Sequence, residues 1–188
     1  MCLPVFKPDW TPLSSPVSYG HDIELSWLLS EAGDVCGFNN TNAIHETSLL
    51  LARTVFRNGL DGESGGVFYE GDEGGRATAK QKVWWVQAEA LVGFLNAYAL
   101  SGDESFIDAF ANVEKWIFTR QVDREYGEWH QEITPEGECR GEKGSIWKTP
   151  YHNGRACMEI VHRCSRLHEQ QRPSQHPQAE MTPGPGVC

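Results

Sequence analysis

Apolar residues recur every three or four positions along several segments of the chain, which is the spacing of helices with one buried face. Three such segments cover residues 23–32, 41–57 and 78–100, and a glycine closely follows each of them. A fourth helix is predicted over residues 104–119, and a fifth from about 151 to 164. Helices with apolar faces must pack against other helices, so the pattern predicts an all-α fold.

The remaining segments do not follow the helical pattern. Glycine-rich stretches at 61–72 and 126–137 predict loops or short β-hairpins between the helices. The first 16 residues contain four prolines, which favours an extended lead-in over residues 1–16. From residue 165 onward, prolines and glutamines replace large apolar residues, which predicts a disordered tail over 165–188. The folded domain is therefore expected over residues 17–164.

Composition and charge exclude several functional classes. The chain has 188 residues, of which 26 are acidic and 16 basic, and its formal net charge is −10. Without a basic stripe, such a chain is not expected to bind nucleic acid through the phosphate backbone. It also has neither a long apolar run nor an obvious signal peptide. These features predict a cytoplasmic protein with no membrane partner.

No cofactor is expected from the sequence. The six cysteines are irregularly spaced and read as free thiols. Cys157, His162 and Cys164 lie on different faces of one predicted helix, whereas a zinc site needs convergent ligands. No phosphate-binding glycine loop is present. We therefore expect neither a metal nor a nucleotide cofactor.

One candidate for acid–base chemistry lies where the first helix begins. His21 and Glu24 are three residues apart, so a helix that starts here places them on one face. A carboxylate in that position can orient an imidazole, which titrates near neutral pH. The same residues also fit an ordinary helix start, because a carboxylate in the first turn is favoured by the helix dipole. The spacing alone favours this simpler interpretation.

A second candidate lies where a loop meets the last helix. Pro150 marks a change of conformation, and Tyr151, His152 and Asn153 follow it directly. Trp147, just before the proline, is a candidate surface for stacking on a sugar ring. An anchoring tryptophan and a capping asparagine explain this pattern equally well.

Adjacent tryptophans within the third helix form a third candidate. Trp84 and Trp85 point about 100° apart on a helix, so one can enter the core while the other lines a different face. Glu89 shares a face with Trp85. Core packing of both indoles is the simpler interpretation of this segment.

Together, these segments carry a family resemblance. The stretches SYGHDIELSWLL, KVWWVQAEALVGFLNAY, GEW and WKTPYHNGRACMEI resemble, in this order, the second half of the cellobiose 2-epimerases, in the N-acylglucosamine 2-epimerase superfamily. The resemblance covers about residues 5–164 and is most specific in HDIE, WWVQAEA and PYHNGR. The last part of the chain does not share it.

The resemblance implies an (α/α)6 barrel and epimerisation at C2 of the reducing-end glucose of cellobiose or a related β-1,4-disaccharide, through an enediol. On the matching positions, His21 and His152 would be the acid–base pair, and Glu24 would orient His21. No cofactor is implied. The implied substrate-binding residues are Trp84, Trp147, Tyr151, Asn153 and Arg155.

The length of the chain departs from the family pattern. Family members are much longer, and five helices cannot close a ring of six helix pairs. The chain is therefore expected to form an incomplete (α/α)6 barrel, about half of the ring. An uncovered apolar flank favours association. We therefore expect the isolated chain to be inactive, and either to self-associate or to work with a separate first half.

Other functions stay open at this stage. The substrate class also fits an N-acylglucosamine 2-epimerase or a mannose-type aldose–ketose isomerase. A glycoside hydrolase on an (α/α)6 scaffold would use two of the carboxylates Glu24, Glu89 and Glu128. A non-catalytic fragment that binds carbohydrate or protein is the remaining alternative.

Overall fold

The computed structural model describes residues 7–11, 13, 16–37 and 41–171. Much of the lead-in predicted over residues 1–16 and the tail segment 172–188 therefore lie outside the described residues. The helices are α1 (Tyr19–Cys36), α2 (Thr41–Asn58), α3 (Trp84–Ser101), α4 (Ser105–Trp116) and α5 (Tyr151–Gln171). The strands are β1 (Val17–Ser18), β2 (Glu70–Gly71), β3 (Ala77–Ala79), β4 (Lys82–Val83), β5 (Glu132–Ile133) and β6 (Cys139–Arg140). A mostly helical fold with short hairpins is confirmed.

Several boundaries differ from the predicted ones. Helix α1 begins at Tyr19 rather than residue 23, and it continues through Gly33 to Cys36, where Gly37 forms a left-handed cap. Helix α3 begins at Trp84 rather than near residue 78, because the preceding residues pair as β3 and β4 with strands from other parts of the chain. Helix α4 ends in a π-helical turn, Ile117–Gln121. Helix α5 continues to Gln171, so residues 165–171 are helical where a disordered tail was expected.

Helix α3 lies at the centre of the molecule. It packs against α1 and α5, and it also contacts α2 and α4. Every residue from Val86 to Ala97 is buried, as expected for a helix that is surrounded by others. At Gly93, a Cβ atom would lie 2.4 Å from Cγ1 of Ile23, so the close approach of α1 and α3 requires a glycine there.

Two three-stranded antiparallel sheets lie at one end of this helical layer. The first has the order β1-β2-β3 and the second β4-β5-β6. Strand β1 leads directly into α1, and β4 leads directly into α3. The sheets and the loops between them therefore surround the N-terminal ends of the helices that carry the candidate residues.

Several apolar side chains remain exposed on the two helices that flank α3. On α1 these are Leu25, Leu28 and Val35, and on α5 they are Met158 and Val161. Exposed apolar patches of this kind often mark contact surfaces. Among the described residues, no helix is long and apolar enough to cross a membrane.

Candidate active site

A cleft of about 450 Å³ opens where the N-terminal ends of α1, α3 and α5 meet the sheets. It brings together most of the residues that the sequence singled out, from three separate segments. Tyr151, Asn153 and Arg155 are not among its lining residues. The lining consists of His21, Glu24, Tyr69, Val83, Trp84, Trp85, Gln131, Glu132, Trp147 and His152.

A larger cavity of about 570 Å³ holds none of the predicted site residues. Its most buried cation, Lys82, is already engaged, since Nζ lies 2.8 Å from Oδ2 of Asp61 and donates to the carbonyl oxygen of Gly65. Burial lowers the pKa of Lys82, against the opposing effect of Asp61. We therefore assign the chemistry to the smaller cleft.

Behind the cleft, the carboxylate of Glu89 is the centre of a hydrogen-bond network. Glu89 is 1% exposed and accepts a bond of 2.9 Å from Nε1 of Trp27. Its other oxygen lies 2.6 Å from Nδ1 of His152 and accepts a bond of 2.7 Å from Arg155. Burial raises the pKa of Glu89, but the bonds from His152, Arg155 and Trp27 outweigh this effect, so the net pKa is lowered. The group is therefore an ionised acceptor.

This network determines the tautomer of His152. An ionised carboxylate only accepts hydrogen bonds, so Nδ1 of His152 must carry the hydrogen that faces Glu89. Nε2 then has a free lone pair in the neutral ring. His152 lines the cleft with 21% of its side chain exposed. The geometry thus prepares one imidazole nitrogen to accept a proton.

Arg155 joins α5 to α1. Nη2 donates to Glu24 at 2.6 Å as well as to Glu89, and Nη1 donates to the hydroxyl of Tyr151 at 2.6 Å. The guanidinium also lies 4.8 Å from the ring centroid of Trp27. Arg155 therefore places one positive charge between two carboxylates, Glu24 at the cleft and Glu89 behind it.

The expected pairing of His21 with Glu24 is wrong. Glu24 turns towards Arg155, which offers a charge-assisted bond. His21 instead contacts Ser18, the N-cap of α1: Nδ1 lies 2.8 Å from its Oγ, which also accepts a bond from the backbone N–H of His21. His21 is exposed at the cleft, so a single hydroxyl holds its imidazole.

Trp85 forms the surface between the two histidines. Its ring centroid lies 4.9 Å from that of His21 and 5.5 Å from that of His152. A Cβ atom on residue 20 would come within 2.4 Å of this ring, so Gly20 allows the indole to reach its position. Trp84, the indole expected to stack on sugar, is only 5% exposed. Trp85 is therefore the more accessible surface of the pair.

Two further predicted residues occupy contrasting positions. Trp147 is 80% exposed at the rim of the cleft. Asn153 is buried, and its Nδ2 donates to Oε1 of Glu128 at 2.9 Å instead of facing the cleft. The direct sugar contact expected of Asn153 is therefore not available in this conformation.

One group within the described part of the chain has the spacing of metal ligands. One ligand atom from each of Glu24, Glu89 and His152 lies within 4.8 Å of the others. Arg155 donates to both carboxylates, so a positive charge already occupies the position where a cation would bind. The absence of a metal requirement stays a prediction.

Sequence reasoning missed the roles of Glu89 and Trp27 in this network. Their partners are distant in sequence: Trp27 is 62 residues from Glu89, and His152 is 63 residues from it. One signal in the sequence indicated the role of Glu89: it is a glutamate on the same helix face as Trp85, within a segment that is otherwise almost entirely apolar.

Known structures show the class of protein. The crystal structure of a sugar epimerase from a ruminal bacterium matches 84% of this chain with a TM-score of 0.78 and 36% identity, and the match covers 41% of that chain. The described part of the chain thus has the fold of part of a sugar epimerase.

Sequence comparison shows the family. The family model of N-acylglucosamine 2-epimerase matches residues 6–156, and the chain belongs to this family. A cellobiose 2-epimerase of Ruminococcus albus is 40% identical over 78% of this chain, and the match covers 38% of that relative. An N-acylglucosamine 2-epimerase of Mus musculus is 32% identical over 76% of this chain and is covered to 35%. The chain therefore spans well under half the length of these relatives.

Proposed function

We propose that this chain supplies one side of the active site of a sugar 2-epimerase, which inverts C2 of the reducing-end glucose of cellobiose or a related β-1,4-disaccharide. The main observation in support is that His21 and His152 flank the ring of Trp85 in one cleft. The relatives named cellobiose 2-epimerase have the higher identity, which favours a disaccharide over an N-acylated monosaccharide.

The proposed reaction moves only protons. In the open-chain sugar, the carbonyl at C1 acidifies the hydrogen on C2. One imidazole removes that hydrogen as a proton, and the C2 electron pair forms an enediol as the carbonyl oxygen is protonated. Return of a proton to the opposite face of C2, with loss of the proton from the oxygen on C1, restores the carbonyl with inverted configuration. Imidazole suits both steps because its pKa of about 6.5 allows it to accept and donate protons near neutrality.

The site residues divide this work between them. His152 offers Nε2 because Glu89 holds its Nδ1–H. His21 offers its second nitrogen from the other side of Trp85. Glu24 and Arg155 hold the helices α1 and α5 together behind the cleft, and Tyr151 packs on the same guanidinium. Trp85 and Trp147 present indole faces to the sugar rings.

The glycoside hydrolase alternative is disfavoured by the state of two of its three candidate carboxylates, Glu89 and Glu128. Such an enzyme needs a carboxylic acid with a raised pKa to protonate the leaving oxygen. Burial raises the pKa values of Glu89 and Glu128, but their hydrogen bonds outweigh this effect and lower both. Neither group is a suitable general acid.

Turnover is expected to need more of the family's structure than this chain supplies. The match covers 38% of the Ruminococcus albus relative. Binding groups that surround a sugar from all sides would then come from residues outside this chain, and small errors in positioning are costly to catalysis. We therefore propose that the 188-residue chain is inactive when it is alone.

The test uses a joined protein, in which this chain is fused to the part of the Ruminococcus albus relative that it does not cover. Incubated with cellobiose in heavy water, it should incorporate deuterium at C2 and form the mannose-ended epimer. His21→Ala and His152→Ala should each slow epimerisation by about 10²–10⁴-fold. His162→Ala, which changes an exposed histidine of α5 outside the cleft, is the matched control.

Three outcomes would contradict the proposal. Glucose release would indicate a hydrolase. Cellobiose binding by the joined protein without any exchange at C2 would indicate a non-catalytic fragment. Epimerisation at the unchanged rate in either histidine variant would remove that residue from the mechanism.

A further inference from the structure

The loop before α5 presents Trp147 to the cleft. This loop, residues 143–150, follows β6 and ends where α5 begins. Within it, the Oγ atom of Ser145 accepts bonds from the backbone N–H groups of Trp147 and Lys148. The indole of Trp147 is 80% exposed, whereas the side chain of Lys148 is completely buried. Two adjacent side chains thus have opposite environments.

The buried lysine is fixed by a specific set of contacts. Nζ of Lys148 donates to Oε1 of Glu128 at 2.7 Å and lies 5.5 Å from the ring centroid of Trp84. Nδ2 of Asn153 donates to the same oxygen at 2.9 Å. Lysine is almost never fully buried unless it is paired. We call these three residues, Glu128, Lys148 and Asn153, the Lys148 anchor.

The geometry of Glu128 serves this arrangement. Its φ angle is +62°, a left-handed conformation that few residues other than glycine adopt. The chain turns at Gly127 and Glu128. The side chain of Glu128 reaches both Lys148 and Asn153 from this turn. The turn is thereby connected to the loop and to the first residues of α5.

A second lysine fastens the other end of the loop to the same turn. Nζ of Lys143 forms an ion pair with Asp123 and donates to the carbonyl oxygen of Gly127 at 3.0 Å. The loop is therefore held at residues 143 and 148. Between these two points, Trp147 is the residue that reaches the cleft.

We propose that the Lys148 anchor is a positioning device for substrate binding: Glu128 and Asn153 hold Lys148 in the interior, and this contact keeps the Trp147 indole over the cleft as a stacking surface for sugar. The stacking part rests on the proposed function, whereas the holding of the loop does not. Glu128, Lys148 and Asn153 are thus positioning residues that act through Trp147.

The first experiment measures hydrogen exchange of the 144–150 segment in the sugar-free 188-residue chain. Lys148→Met keeps a long side chain in the buried position but removes the ammonium group. Exchange in this segment should become at least about 10-fold faster, because the loop opens more often when its anchor is lost. Lys115→Met, at an exposed lysine of α4, is the matched control and should leave exchange unchanged. Unchanged exchange in Lys148→Met would overturn the anchor.

A second variant guards against misfolding. Glu128→Gln changes a side chain that is 36% exposed, outside the apolar core, and it weakens the bond to Lys148 without removing the oxygen. We expect an intermediate rate of exchange in the 144–150 segment. A rate equal to that of the unchanged protein would contradict a role for the Glu128 charge.

The link to sugar is tested by a double-mutant cycle. In the joined protein, Lys148→Met and Trp147→Ala should each raise the Kd for cellobiose by about 2–10-fold, which is the effect of one aromatic contact. The double variant should bind no more weakly than Trp147→Ala, because Lys148 acts through the indole. An equal further loss in the Trp147→Ala background would overturn the proposal. If the unchanged chain and the joined protein both fail to bind cellobiose, the proposed function is contradicted, while the exchange result still decides whether the anchor exists.

Discussion

The two histidines of the cleft are supported in very different ways. His152 is bound at Nδ1 by the buried carboxylate of Glu89, which in turn accepts bonds from Trp27 and Arg155. His21 is exposed, and its Nδ1 contacts the hydroxyl of its own helix cap, Ser18. One imidazole is therefore held in a single tautomer by a charged network that joins three helices. The other is held by a local contact between two residues that are three positions apart in the sequence.

This difference shows that one side of a cleft can be determined by local sequence and the other by the packing of distant segments. Serine is a favoured N-cap residue, so the hydrogen bonds that hold His21 come from local sequence. The position of His152 depends on the packing of α1, α3 and α5 around Glu89. Changes in packing should therefore affect His152 first.

The largest contrast is expected when each support is removed in the joined protein. Glu89→Gln should lower kcat by about 10²-fold or more, because the amide no longer fixes the charge and tautomer at His152. Ser18→Ala removes two neutral hydrogen bonds to His21, one at Nδ1 and one at the backbone N–H, and should lower kcat by less than about 10-fold. Steady-state kinetics with cellobiose measures both. Equal effects of the two substitutions would show that the Glu89 network has no special role.

Removal of the shared arginine should reduce stability. Arg155→Met leaves Glu89 buried with two donors instead of three, and we expect a loss of about 2–3 kcal/mol in the free energy of unfolding. Arg140→Met is the matched control, because its partner Glu138 and Arg140 itself are largely exposed. That variant should lose less than about 1 kcal/mol. Urea denaturation of the 188-residue chain compares them, and a loss no larger than that of the control would contradict the network.

The network should also give the fold a dependence on acidic pH. The pKa of Glu89 in the folded chain lies below its ordinary value of 4.5. The ionised group therefore contributes its full stabilisation above about pH 4.5, and this contribution is lost as the pH falls through the lower folded-state pKa. Glu89→Gln should be less stable at pH 7 but should lose less stability between pH 5 and pH 3. Parallel pH profiles of the two proteins would contradict this assignment.

The smallest expected effect is that of a chelator. The ligand atoms of Glu24, Glu89 and His152 lie close together, but Arg155 supplies the positive charge between the carboxylates. Dialysis of the joined protein against a chelator should leave kcat unchanged. A loss of activity that one divalent cation restores would show that Arg155 moves aside for a metal.

Sequence patterns predicted the helices more reliably than their connections. Apolar spacing predicted the helical core of α1, α2 and α4, because this signal is local, but the glycine taken as the end of α1, Gly33, lies inside that helix. The start of α3 was placed too early because β3 pairs with the neighbouring strand β2, and β4 pairs with the distant strand β5. Helix α5 extends to Gln171, past the predicted boundary at 164. Local composition does not show which helical residues are stabilised by tertiary contacts.

The candidate site shows the same difference between local signals and long-range contacts. The motifs brought His21, His152 and Trp147 to attention, and all three line one cleft. The partner of Glu24 was predicted incorrectly, because Arg155 lies 131 residues away and no local rule indicates it. The accessible indole of the tryptophan pair could not be chosen without knowing which face of α3 meets the core.

The central claim is that the two imidazoles act on opposite faces of C2. It is tested most directly by measuring isotope exchange from each of the two epimers in separate reactions. In heavy water, the joined protein should exchange the C2 hydrogen of cellobiose and of its mannose-ended epimer. His21→Ala and His152→Ala should each retain exchange from only one of the two sugars, and the retained sugar should differ between the variants. Retention of exchange from the same sugar in both variants, or equal retention from both sugars in either one, would contradict the account.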